Sequence, residues 1–151
     1  MTGKKKHAIK KRAGRATKET LDCNSKLTRY VRDVADLIKL KDYEIMLDFS
    51  APAESDCHAE IYPHEQMSYA RIRFSSDFKT LPAEDIRYYV VHEICHLHFV
   101  GFADVLESMT THLPMAVYQS LLNSHEKVEE RTVDNLAKVI CQFMPLPPPL
   151  V

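Results

Sequence analysis

The chain has 151 residues, 45% apolar and 27% charged, with a formal net charge of −1. That is enough chain for one domain with a real core, and the composition is that of a soluble globular protein. No apolar run approaches the ~20 residues a membrane span needs, and with only three glycines there is no glycine-rich phosphate loop.

The charge is unevenly spread. Residues 1–20 hold eight Lys/Arg and one Glu, so +7, leaving 12 positive and 20 negative charges, −8, on the remainder. Residues 1–22 lack periodicity and read as a basic flexible arm, and no apolar segment follows that would make it a secretory signal. Its Lys/Arg side chains could make a weak, non-specific contact with nucleic acid. The simpler reading is a solvated tail, because the arm carries no aromatic residue.

From Ser25 the pattern becomes helical. Leu27, Tyr30, Val31, Val34, Leu37 and Ile38 recur at helical spacing and predict an amphipathic helix over 25–40. Three alternating runs follow, "YEIMLDF", "CHAEIY" and "SYARIRF", each a half-buried strand. In the third, Ala70, Ile72 and Phe74 share one face, and Tyr69, Arg71 and Arg73 the other. A helix is expected from Pro82 to about Phe99, with Glu84 and Asp85 in its first turn and Gly101 as its stop. A short helical segment at 103–110 and a long helix from Pro114 to about Phe143 complete the domain. The long helix's apolar stripe is Tyr118, Leu121, Leu122, Val128, Val133, Leu136 and Ile140. "PLPPPLV" is a stiff, non-helical tail, more simply a terminus than a partner-binding motif.

This order predicts a single α+β domain over 23–145, with a small three- to four-stranded mixed sheet packed against helices and a proline-rich tail at 146–151. Cys23, Cys57, Cys95 and Cys141 include no CxxC pair. They point to a reducing, cytoplasmic setting rather than a disulfide framework. Cys95 points off the histidine face of its helix and reads as a small buried apolar residue.

The chemistry lies in "VVHEICHLHF" at Val90–Phe99. Burying His92, Glu93 and His96 among Val, Ile and Leu costs several kcal/mol unless something compensates. His92 and His96 stand four apart, so both imidazoles lie on one helix face and can share one ion. Glu93, about 100° round the axis, can reach a water without being a ligand. This is the HExxH arrangement, and its chemistry is Zn²⁺ with Glu93 as general base for peptide hydrolysis. Such a motif also arises by chance on exposed helices, but here apolar residues surround it.

A catalytic zinc needs a third protein ligand. Phe102 stands where an HExxHxxGxxH motif would have its third histidine. His98, two residues after His96, points to the other side. His112 is one candidate. The others are Glu126, Glu129 and Glu130 in "HEKVEERTVDNLA". The helical wheel puts Glu129 nearest the middle of the apolar stripe. The pair Glu130 and Asp134, four apart, instead suits a ligand and a carboxylate that bonds a ligating histidine's free nitrogen. His112, His125 and Tyr118 are candidates to donate to an oxyanion.

"HEICH" followed about thirty residues later by "EERTVDNLA" resembles the short gluzincin-type metallopeptidases of bacteria and phages, the minigluzincins, and is similar in plan to the ImmA-like peptidases. The resemblance covers roughly residues 25–145. It implies a zincin-like fold in which the HExxH helix and the long C-terminal helix form the site. Carried over, the family pattern falls on Glu130 as third ligand, Val133, Asp134, and Leu136–Ala137. It implies a protein or peptide substrate held along the strand beside the cleft, for which "SYARIRF" is the candidate. Cys95, where the family often has a small residue, and Asp134 in place of Asn depart from the pattern. The rival reading is a non-catalytic metal-containing or nucleic-acid-binding module that uses the basic arm.

Overall fold

The computed structural model describes residues 22–49, 53, 57–64 and 68–150. The basic arm, and any nucleic-acid contact through it, lies outside them apart from residue 22.

The first helix, α1, spans residues 22–37 and buries Cys23, Leu27, Tyr30, Val31, Val34 and Ala35. That stripe follows the expected spacing, except that Leu37 turns out to solvent at 56% exposure. The helix ends on Lys39, which takes a left-handed conformation at φ 69°. Leu40 N–H then returns to the Ala35 carbonyl at 2.8 Å, closing the helix end as glycine usually does.

Strands β1 (Glu44–Asp48), β2 (Ala59–Pro63) and β3 (Tyr69–Phe74) form one mixed sheet in the order β1-β3-β2. β1 runs parallel to β3, and β2 runs antiparallel to it. The alternation read from the sequence holds in β3: Ala70, Ile72 and Phe74 are buried, and Tyr69, Arg71 and Arg73 face outwards, half-buried. The two arginines share an acidic partner. Both pair with Asp48, and their guanidinium groups lie 5.3 and 5.1 Å from the Tyr62 ring centroid.

A short 3₁₀ turn at Phe78–Thr80 leads into α2 (Ala83–His96). Pro82 caps α2, and Glu84 and Asp85 sit in its first turn, where the helix dipole favours acids. Ile86, Val90, Val91, Ile94 and Cys95 are buried on the core side, each large aliphatic side chain contributing about 2 kcal/mol.

Gly101 is not the stop. After His96 the bonds tighten to i→i−3 (Leu97 to Ile94, His98 to Cys95, Phe99 to His96), which ends the helix without a left-handed residue. Gly101 then falls in the first turn of α3 (Val100–Ser108).

Helix α4 spans Met115–Ile140 and crosses α2, with Val133 and Ala137 at 0% exposure. The expected stripe is only partly buried: Val128 is 65% exposed, Leu121 41% and Leu136 40%. Val128 and Leu136 share the C-terminal half with Val133 and Ala137 but lie off their face, and α4, with 26 residues against 14, also outruns α2 to reach α3 and the turn that follows it.

The proline-rich tail is docked. Met144, Pro147 and Leu150 are buried, the three-residue period of a polyproline II strip lying on a surface. Tyr30 Oη donates to the Pro145 carbonyl at 3.0 Å, and an Arg87 guanidinium nitrogen donates to the Met144 carbonyl at 3.0 Å. The architecture is α+β, a three-stranded mixed sheet with helices. Among the described residues no helix is long and apolar enough to cross a membrane.

Candidate metal centre

His92 and His96 point from α2 into a cleft of about 670 Å³ walled by β2, α3 and α4. Their rings meet edge to face with centroids 5.0 Å apart and Nε2 atoms 3.3 Å apart. Glu130 reaches in from α4: one carboxylate oxygen lies 3.6 Å from His92 Nε2, the other 3.4 Å from His96 Nε2. One ligand atom from each of these three residues falls within 4.8 Å of the others.

Protonation decides whether this cluster can hold a cation. Glu129, the chain neighbour of Glu130, lies with Oε1 2.9 Å from His96 Nδ1. In the tautomer protonated at Nδ1, His96 donates to that carboxylate and turns its Nε2 lone pair inwards. Burial, reinforced by the neighbouring His96, lowers the His92 pKa and favours a neutral His92 ring. With both rings protonated at Nδ1, two Nε2 lone pairs and a carboxylate oxygen would face one another around a space for a cation. Two imidazole nitrogens and one carboxylate oxygen are a donor set that suits Zn²⁺, so the residues fit the metal expected from the motif.

Glu93 lines the same cleft and is the one buried acid among the described residues, at 8% exposure. Burial pushes its pKa up to about 8, and the nearby Glu130 and Glu60 carboxylates add to that rise. A hydrogen bond from the Ile61 backbone N–H opposes it. That bond joins the motif helix to β2, the edge strand on this side of the sheet.

The other candidates fall elsewhere. Asp134 does not bond a histidine; it accepts from Tyr88 Oη and Lys138 Nζ, because α4 turns it towards the Tyr88 end of α2. Glu129 instead occupies the free nitrogen of His96, the role the sequence reading had given to Asp134. His92 Nδ1 has no hydrogen-bond partner among the described residues. Glu126 and His112 are exposed and outside the cluster. His112, Tyr118 and His125 are absent from the cleft lining. Cys95 is buried, its pKa pushed up to about 11 by burial, so it stays a thiol off the metal face.

"SYARIRF" cannot receive an extended peptide. β3 is the central strand, with β1 and β2 occupying both of its edges. The strand that borders the cleft is β2, through Ala59, Glu60, Ile61 and Pro63. The sequence reading also missed the opposite wall. Val100, Asp104 and Glu107 lie one helical turn apart on α3 and line the cleft together.

In comparisons with known proteins, no family model, curated protein or solved structure gives a significant match to this chain.

Proposed function

We propose that this chain is a cytosolic zinc-dependent metallopeptidase of the HExxH, gluzincin type. The observation that carries the reading is the convergence of His92, His96 and Glu130, from two helices, with Glu93 beside them in one cleft. A zinc ion held by those three side chains would act as a Lewis acid and lower the pKa of water. The chain's own share of the chemistry falls to Glu93. Its carboxylate form can take a proton from water attacking a carbonyl carbon and hand it to the departing amine nitrogen. The apolar packing around α2 keeps that carboxyl dry and its pKa high.

The substrate would be a peptide. Among the described residues β2 is an edge strand along the cleft, with its Ile61 N–H given to Glu93, and an edge strand is the arrangement through which extended peptides add to a sheet. The lining includes Glu60, Asp104 and Glu107 beyond the site carboxylates and no Lys or Arg, so basic segments are favoured over acidic ones.

Elemental analysis of purified protein, with His92→Ala as control, tests the metal: about one zinc per chain is expected, and its loss in the variant. Glu93→Gln tests the chemistry. The variant should keep its zinc and lose peptide hydrolysis by more than about a hundredfold. Full activity without that carboxylate would refute the mechanism.

A further inference from the structure

His125 has no part in the reaction outlined above, yet it is nearly enclosed, with 11% of its side chain exposed. It sits on α4 one turn before Glu129, on the same face. Its Nδ1 lies 3.5 Å from Glu129 Oε2. The other oxygen of that carboxylate is the one at His96 Nδ1. The far face of the imidazole is covered by Phe102 of α3, with ring centroids 4.8 Å apart and planes 13° from parallel. Phe102 is itself 54% exposed, so what it covers is the histidine rather than the core.

We infer that His125 is a positioning residue for the metal centre, clamped by Phe102 and acting through Glu129 on His96. The inference rests on the metal reading above. A carboxylate's terminal torsion is soft and roughly two-fold. With one partner, Glu129 can swing and let the His96 ring follow. With a ring nitrogen against each oxygen, His96 Nδ1 at 2.9 Å and His125 Nδ1 at 3.5 Å, its plane is restrained, and with it the direction of His96 Nε2. The clamp also ties the metal ligands to α3, a helix that supplies no ligand but forms one wall of the cleft through Val100, Asp104 and Glu107.

The test is the zinc dissociation constant of the full chain, measured by competition with a chromophoric chelator, with metal-free melting temperatures recorded alongside. His125→Leu should weaken zinc binding about tenfold, the low end of what losing an outer partner of a metal-bound histidine costs. His125→Asn keeps an N–H near the Nδ1 position and should restore most of that loss. Phe102→Ala, at an exposed site, should weaken binding about threefold with little change in metal-free melting, and it carries the test if His125→Leu does not fold. In a double-mutant cycle, His125→Leu should add almost nothing to Glu129→Gln. Unchanged affinity in both His125→Leu and Phe102→Ala, or losses that simply add to that of Glu129→Gln, would overturn the inference and leave the metal site standing. A wild-type chain that binds no zinc is a different result, and removes the metal reading along with the clamp.

Discussion

Glu129 and His96 are joined by a 2.9 Å contact between Oε1 and Nδ1, while Glu130, the next residue, faces the other nitrogen of the same ring at 3.4 Å. Two consecutive acids of one helix thus serve opposite sides of one imidazole. Their exposures differ accordingly, 20% for the Glu129 side chain and 63% for Glu130. The half-buried carboxylate sits behind the ring, and the open one turns its oxygens towards the two Nε2 atoms.

This division of labour makes the two residues separable by mutation. Glu130→Gln should abolish tight zinc binding. Glu129→Gln should weaken it about tenfold and leave the stoichiometry at one. Isothermal titration of the metal-free protein reads both. Equal effects of the two substitutions would contradict the assignment of ligand and orienting group.

Metal-free protein should lose stability as pH rises. The folded-state pKa of Glu93 is raised to about 8, above the ordinary carboxylate value of 4.5. Between those values the folded state holds a proton that the unfolded chain has released, so stability is full below about pH 4.5 and is lost on the way to pH 8. The loss is on the order of 4 kcal/mol, or roughly 10 °C in melting temperature between pH 5 and 8. Glu93→Gln should flatten that slope. A wild-type slope of the opposite sign, or one that persists in the variant, would show that another group governs it.

The tail should behave as part of the core. Leu150 is 6% exposed, and Leu150→Asp should cost about 2–3 kcal/mol, visible in a urea titration. A tail held ready for a partner would tolerate the change without any shift in midpoint.

Charge on the α3 wall should set substrate preference. Asp104 and Glu107 line the cleft from one face of α3. Changing both to Lys should reverse a preference for Lys-containing over Glu-containing peptides, by about tenfold in kcat/KM for matched pairs. An identical ratio in wild type and variant would remove the α3 wall from the substrate's path.

The local elements were legible because each obeys one short-range rule. The period of Leu27, Tyr30, Val31 and Val34 marks a helix, and the alternation through Ala70, Ile72 and Phe74 a strand with one dry face. The four-residue gap between His92 and His96 puts two imidazoles on one side of a helix whatever the rest of the chain does. Helix ends were less legible. Gly101 looked like a stop, but the backbone closed α2 with i→i−3 bonds instead.

Long-range pairing lay beyond such rules. Strand order depends on which edges meet in three dimensions, so nothing in "SYARIRF" announces that β3 is the middle strand, or that β2 borders the cleft. The apolar stripe of α4 read as a continuous core face, yet Val128 and Leu136 are exposed beside the buried Val133 and Ala137, because burial depends on which face the neighbouring helix covers as well as on the stripe. The choice among Glu126, Glu129 and Glu130 turned on the rotation of α4 against α2. That angle is set where Val133 and Ala137 pack to zero exposure. A helical wheel knows the spacing of those acids but not the direction from which α2 approaches. The sequence by itself therefore determined the motif and the face that bears it. Only the packing of two helices decided which carboxylate meets the histidines' Nε2 atoms and which steadies one ring from behind.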